Sequence, residues 1–386
     1  MKVLWEGDFF VSHSLARSNR DVCRALVAAN VDLSIKQVLR PGEPDARITW
    51  VGKAINPALV RDYADLARIN EPDGCEADVV VRYQYPVNRA KPTSGKWVLY
   101  QPWEVGGMPK AWEEVIQGAD AFWGPSSYVR EVFQRNLAAA GRGGAPTALV
   151  PNAVDIDLFK PYTGKTDVIP AETSGMLVFL YVGGLIHRKG FDVALSAFYN
   201  AFRGRQDAVL VVKGCGSDSY YRHNTQKALI DQIKEKADCP PILYNEQHLS
   251  DQQMVELYSK ATALVAPYRG EGFCLPALES LACGTPVVVT SGGPTDDFFT
   301  TGCGVQLPAS KVTQEGDCGL GETYVPVTLL EPAMESLCSS LQQIAAKKDT
   351  WKKDRMDTCV RAASRFTPED SARAAIEALE RLLQQN

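Results

Sequence analysis

Arg269-Gly270-Glu271-Gly272-Phe273-Cys274-Leu275-Pro276-Ala277-Leu278-Glu279 follows an apolar strand-like run, Ala263–Ala266, that closes at Pro267. The segment enters a helix over Pro276–Ala282, with Pro276 suited to the N1 position, where a missing amide costs nothing. The amides from Gly272 to Leu275 would then point outward at a helix N-terminus. Bare N–H groups and the helix dipole make such a turn an anion site, suited to a diphosphate. Glu271 lies before the helix and Glu279 about one turn inside it. Carboxylates there accept hydrogen bonds from sugar and ribose hydroxyls without contacting phosphates. Taken singly, each glutamate reads as a loop or helix-surface charge; the ordered string from Glu271 to Val288 reverses that reading.

Outward from this segment, strand-like and helix-like stretches alternate, a pattern of parallel sheets covered by helices. In the first half, strands are predicted at Lys2–Trp5, Asp32–Val38, Ala77–Arg82, Trp97–Tyr100, Ala121–Gly124 and Thr147–Pro151. Helices over Ser14–Asn30, Met108–Ile116 and Ser127–Ala140 are interleaved with them. The second half has strands at Leu177–Val182, Ala208–Lys213, Ile242–Asn245, Ala263–Ala266 and Pro286–Thr290. Its helices are Gly190–Phe202, Asn224–Ala237, Ser250–Ser259 and Pro276–Ala282. Ser250 and Gln253 have capping-box spacing, and Thr367 caps a last Ala/Glu/Leu-rich helix, Pro368–Leu383. The prediction is an α/β protein of two Rossmann-like domains facing across a cleft. Residues 1–160 form the first, 161–174 a linker and 175–365 the second, while a helix in 366–386 packs back on the first. Ligands of such sheets bind at the carboxyl ends of the strands.

A net charge of −5 over 386 residues argues against a nucleic-acid-binding surface. No stretch approaches the roughly 20 apolar residues that span a bilayer. Ten cysteines are scattered singly, with no C-x-x-C pair, which suits reduced thiols in a cytoplasmic protein. The histidines, His13, His187, His223 and His248, do not form a metal-binding pattern, so no metal is expected. The basic run Lys347-Lys348 and Lys352-Lys353 around Trp351 is expected on a solvated helix face.

The string from Glu271 to Val288 resembles the E-x7-E signature of retaining glycosyltransferases of family 4, which have the GT-B fold. Val178–Val182 leading into Gly183-Gly184-Leu185-Ile186-His187-Arg188-Lys189-Gly190 resembles the family's strand, glycine loop and Lys-Gly turn. Ala208–Gly216 resembles its strand ending in glycine under the nucleotide, and Val150-Pro151-Asn152-Ala153-Val154-Asp155 its hinge. Ala119-Asp120 and Pro125–Tyr128 resemble a segment of its first domain, so the similarity covers residues 119–300 well and the remainder loosely. The resemblance implies that Lys189 neutralises a donor diphosphate and that Glu279 binds ribose hydroxyls. Glu271 faces the donor sugar, with Gly272, Phe273, Cys274 and Leu275 presenting amides beside it. Gly183, Gly184, Arg188 and Lys213 complete the implied donor site. One departure stands out: the family usually has an arginine where this chain has Gly184. Arg188 either supplies that second charge or lies on the surface.

In the first half, Gly7–Ser14 connects the first strand to the first helix and places His13 as a candidate cleft residue. Gln101, Trp103 and Glu104 follow another strand. Trp103 suits either stacking on a sugar or filling the core, and Glu104 either binds hydroxyls or acts as a base. The resemblance implies retaining transfer from a nucleotide-sugar donor to a glycan or other hydroxyl acceptor. It needs no bound metal or cofactor, because lysine and helix dipoles carry the charge. A GT-B nucleotide-sugar epimerase and a non-catalytic sugar-nucleotide-binding protein are the alternatives.

Overall fold

A computed structural model of the chain describes residues 1–39, 54–164, 167–217, 221–314 and 319–385. Its first elements are β1 (Lys2–Gly7), α1 (Ser14–Ala28), β2 (Asp32–Gln37), α2 (Pro57–Asp62), α3 (Ala64–Arg68), β3 (Val79–Tyr83) and β4 (Lys96–Tyr100). They continue with α4 (Glu113–Gly118), β5 (Ala121–Gly124), α5 (Ser127–Ala139) and β6 (Thr147–Leu149). The six strands form one parallel sheet in the order β2-β1-β3-β4-β5-β6. Helices on both faces leave its strands no solvated side, which is why Val79-Val80-Val81 and Val98-Leu99-Tyr100 are unbroken apolar runs. The exception is a buried pair: Arg82 on β3 donates to the carboxylate of its register partner Glu6 on β1, at 2.6 Å.

The second set comprises β7 (Leu177–Gly183), α6 (Phe191–Phe202), β8 (Ala208–Gly214), α7 (Ala228–Lys234), β9 (Ile242–Asn245), α8 (Asp251–Lys260), β10 (Ala263–Ala266) and α9 (Leu275–Ala282). It continues through β11 (Val287–Thr290), β12 (Gly304–Leu307), β13 (Ala309–Thr313), β14 (Thr328–Pro332), α10 (Met334–Ala346) and α11 (Met356–Ala363). A second parallel sheet has the order β12-β11-β10-β7-β8-β9, while β13 and β14 form a two-stranded sheet. In this sheet the strand order reverses between β7 and β10, so the loops after those two strands diverge and leave room for a ligand between them. The core is built from Phe179, Tyr181, Phe198 and Phe202, closed on one side by Leu337, Leu341 and Ile344 of α10. Each such side chain contributes about 1.5–3 kcal/mol on burial.

The last helix, α12 (Pro368–Gln384), starts at Thr367 with a capping box and packs on α1. Its small face of Ala372, Ala375 and Ala378 meets Val22, Ala25 and Leu26. The chain thereby divides into one unit of Met1–Ala153, Thr313–Thr328 and Phe366–Asn386, and another of Val154–Val312 and Leu329–Arg365. The boundary falls at Val154 rather than after residue 160, and the segment predicted as a linker belongs to the second unit. Tyr162 N–H donates to Ser259 Oγ at 3.1 Å, and Phe159 packs beside Tyr258, fastening that stretch to α8.

Three further differences have local causes. Residues 108–112 do not join the helix predicted over 108–116, because Pro109 leads into a short 3-10 turn before α4. The helix predicted over 224–237 shortens to α7, because Asn224 N–H and Gln226 N–H are spent on the Tyr221 and Leu185 carbonyls. In the basic run, Lys352 is turned inward, donating to the Ser259 and Ala261 carbonyls at the end of α8, and Trp351 is buried.

Candidate functional site

At the carboxyl end of β7 the chain passes through Gly183 and Gly184 into a 3-10 turn, His187–Lys189, that ends at Gly190. Gly190 is left-handed, with φ of 67°, and a Cβ on it would lie 1.9 Å from the Pro267 carbonyl oxygen. Only glycine lets the Lys189 turn lie this close to the end of β10. The two loops are then joined through the backbone. Arg269 N–H donates to the Arg188 carbonyl at 2.7 Å and Gly270 N–H to the same oxygen at 3.1 Å.

This apposition brings Lys189 onto Glu271. The ammonium donates to Oε1 of the carboxylate, and both side chains are largely buried. Burial disfavours the Lys189 charge, but the adjoining Glu271 more than offsets it and raises the lysine above its ordinary value. Burial likewise works against the Glu271 carboxylate, and Lys189 and Arg188 overcome it and hold its pKa below the usual range. Arg188 points toward this loop: its guanidinium donates to the Gly270 carbonyl at 2.6 Å and lies 3.8 Å from Glu271 Oε2.

Beyond Glu271, Cys274 occupies the N-cap of α9 with φ of 70°, a strained conformation for a residue with a Cβ. N1 is therefore Leu275, and Pro276 sits at N2 rather than N1. The proline still costs no hydrogen bond there, because the first four helical amides lack helical partners. Gly272, Phe273, Cys274 and Leu275 are all buried, and the Phe273 ring packs against Phe298. Glu279 is buried one turn on and accepts a hydrogen bond from Tyr258 Oη at 2.7 Å. Lys213 is the penultimate residue of β8, paired in register with Val182, and its ammonium folds onto the Gly214 carbonyl at 2.9 Å.

Arg269, to which the sequence assigned no task, is the fastening of the site. The residue is 5% exposed, and its guanidinium donates to both oxygens of Asp192 on α6, both oxygens of Glu331 on β14, and the His187 carbonyl. Its carboxylate partners stand 77 and 62 positions away, so no local pattern in the sequence marks it. Tyr221 is a second residue the sequence left unassigned. Its ring covers Gly184, where a Cβ would come within 2.3 Å of Cε2.

The remaining sequence candidates belong to the first unit. His13 is the N-cap of α1, accepting from Ala16 N–H through Nδ1 at 3.2 Å, while Nε2 lies 3.4 Å from the buried Asp8 carboxylate. Trp103 fills the core, edge-on to Trp112, with Nε1 donating to the Gly107 carbonyl, so it is not a sugar platform. Glu104 beside it is half-buried. Among the described residues no group of three His, Cys, Asp or Glu side chains is placed to hold a metal ion, and no helix is long and apolar enough to cross a membrane.

Residues 166–310 match the family described as glycosyl transferases group 1. The chain is 31% identical over 142 residues to the serotype-specific mannosyltransferase WbdA of Escherichia coli, covering 35% of this chain and 16% of that protein. It is 30% identical over 181 residues to the GDP-mannose-dependent alpha-(1-6)-phosphatidylinositol dimannoside mannosyltransferase of Mycobacterium tuberculosis, covering 46% and 43%. The matches thus span less than half the length of these relatives. Solved structures align along the whole chain. Sucrose-phosphate synthase from Thermosynechococcus elongatus has a TM-score of 0.67 at 16% identity, covering 100% of both chains. HepE of Anabaena, in complex with UDP and glucose, has a TM-score of 0.63 at 14% identity, covering 99% of this chain and 100% of that one. The fold is GT-B, with one parallel six-stranded sheet in each unit.

Proposed function

We propose that the protein transfers a glycosyl unit from a nucleoside-diphosphate sugar to an acceptor hydroxyl, with retained anomeric configuration. The observation that carries this reading is the apposition of Lys189 and Arg188 to the Glu271–Cys274 turn at the start of α9, across the β7/β10 switch point. A diphosphate seated there meets two cations and a helix N-terminus, the groups that stabilise negative charge building on a leaving group. Glu279 on the same helix takes the ribose hydroxyls, and Glu271 the donor sugar. In the reaction the bond from the anomeric carbon to the diphosphate oxygen breaks, and the acceptor oxygen bonds the same face of that carbon. The acceptor's proton passes to the departing diphosphate. The family matched by residues 166–310 and the sugar-transferring relatives support this reading.

The test is a thermal-shift panel of UDP-, GDP-, ADP- and TDP-sugars, since a ligand bound only by the native state raises the melting temperature by mass action. Stabilisation by one donor is expected, followed by an NMR assignment of the product anomer. No stabilisation by any donor overturns the proposal, and isomerisation of the donor without acceptor replaces transfer by epimerisation.

A further inference from the structure

Cys303 and Cys359 are brought side by side from positions 56 apart in the chain. Cys303 immediately precedes β12, and its carbonyl accepts from Val287 N–H of β11 at 3.0 Å, so its backbone is fixed to the sheet. Cys359 lies in α11. Each thiol reaches the other's backbone. Cys359 Sγ lies 3.6 Å from the Cys303 carbonyl, and Cys303 Sγ lies 3.6 Å from the carbonyl of Thr358. The two side chains are also hydrogen-bonded to one another, and Thr300 Oγ1 lies 3.1 Å from Cys303 Sγ. The loop itself comes close to the helix, since a Cβ on Gly302 would lie 3.4 Å from Thr358 Cγ2.

This arrangement separates the two thiols in acidity. The hydrogen bond with Cys359, opposed by burial and helped by Thr300, lowers the Cys303 thiol to about 6. The same bond and burial push the Cys359 thiol up. Near neutral pH one sulfur is a thiolate, the form that attacks, and the other a thiol held against it. Both are buried, yet Thr301 is exposed and Gly302 and Thr358 partly so, which puts the pair one residue beneath the surface. Neither thiol has a part in the proposed sugar transfer.

We propose that Cys303 and Cys359 form a reversible disulfide on exposure to a hydroperoxide, fixing α11 to the start of β12. The Cys303 thiolate attacks one oxygen of hydrogen peroxide. The O–O bond breaks, leaving a sulfenic acid on Cys303 and releasing hydroxide. The Cys359 sulfur then attacks the Cys303 sulfur, the S–O bond breaks, and the Cys359 proton leaves with that oxygen as water. The hydroxide takes up the proton that Cys303 lost on ionising, so two thiols and one peroxide give one disulfide and two waters. A dithiol supplies the two electrons and two protons that reverse the reaction. Closing so long a loop restricts the unfolded chain, which favours the folded oxidised form. α11 packs on α9, and a Cβ on Gly284, just past α9, would lie 2.7 Å from Met356 Cγ. The disulfide therefore secures the helix against which α9 rests.

In the experiment the full chain is treated with hydrogen peroxide at neutral pH, denatured, alkylated and mapped by mass spectrometry, with dithiothreitol added to a parallel sample. The expected product is a peptide pair joined through Cys303 and Cys359, lighter by two hydrogens and separated again by dithiothreitol. Cys23, buried with its thiol raised by that burial, is the internal reference and should react at least about 10-fold more slowly. Oxidation should raise the melting temperature by several degrees, and Cys303→Ala should remove the rise. In Cys359→Ser the sulfenic acid has no thiol to resolve it, so dimedone should label Cys303. The mapping is done on the wild type and decides the pairing whatever the stability of the variants. Cys303 and Cys359 that remain alkylatable after peroxide has oxidised any other cysteine overturn the proposal, and so does a disulfide joining Cys359 to Cys283.

Discussion

Arg269 grips Asp192 through two parallel hydrogen bonds, Nη1 to Oδ1 at 2.8 Å and Nη2 to Oδ2 at 2.9 Å. The same guanidinium holds Glu331 through Nε and Nη2, and the His187 carbonyl through Nη1. One planar fork thus ties the loop after β10 to the first turn of α6, to β14 and to the Lys189 turn. Lysine has no such fork. Arg269→Lys is expected to destabilise the protein by about 2 kcal/mol, less than for a fully buried pair because Asp192 and Glu331 are partly solvated. Urea denaturation reads the loss, and an unchanged midpoint would mean the fork is not a fastening.

Lys189→Ala removes the charge at the centre of the proposed diphosphate site. Turnover is expected to fall by about 100- to 1000-fold, the usual cost of one group stabilising a developing anion. Circular dichroism should show the fold retained. Near-normal transfer by this variant would sink the assignment of charge stabilisation.

Gly190→Ala tests the close approach of the two loops independently of charge. The left-handed backbone costs an alanine about 1–2 kcal/mol. The contact with the Pro267 oxygen adds to that, since backbone cannot swing aside as a side chain can. The expected loss is roughly 2–4 kcal/mol by denaturant titration, with activity falling in parallel as the Lys189 turn is pushed away.

Lys352 makes the stability pH-dependent in the alkaline range. Burial lowers its pKa from 10.5 to about 8, against smaller opposing influences of Cys283 and Cys359, with Lys260 adding to the decrease. Between about pH 8 and 10.5 the unfolded state therefore binds more protons than the folded one, and stability rises with pH across that window. The rise is on the order of 3 kcal/mol, by the difference between the two values. Melting temperatures from pH 7.5 to 10 should show it, and Lys352→Met should abolish it; equal slopes in both proteins would show that Lys352 is not the cause.

The strands were the most legible part of the chain. Ala121–Gly124, Ile242–Asn245 and Ala263–Ala266 are apolar runs closed by turn residues, and they lie where the pattern puts them. The caps at Ser250 and Thr367 follow from short-range spacing and are also in place. β12 escaped notice because it is short and polar at Gln306, and α11 because its buried face is the small residues Cys359, Ala362 and Ala363. α10 carried a usable signal in Leu337, Leu341 and Ile344, at helical spacing. At the site, the approach of Lys189 to Glu271 came from a resemblance, since the two lie 82 positions apart. The Arg269 fastening was illegible for the same reason, its partners standing 77 and 62 positions away. Periodicity reports which face of an element is buried, and it is silent about which distant side chains a sheet brings together.

Because α12 covers the Val22, Ala25 and Leu26 face of α1, the unit that holds β1 to β6 cannot be finished until the residues of α12 have been made. On a ribosome β1 to β6 emerge first, while the ridge that shields α1 follows the six strands of the other sheet. At about 5–20 residues per second that interval is roughly 10–40 s. Through it the nascent protein presents an uncovered apolar helix face, while the sheet bearing Lys189 and Glu271 has every strand it needs to close. Order of synthesis and order of completion are thereby reversed.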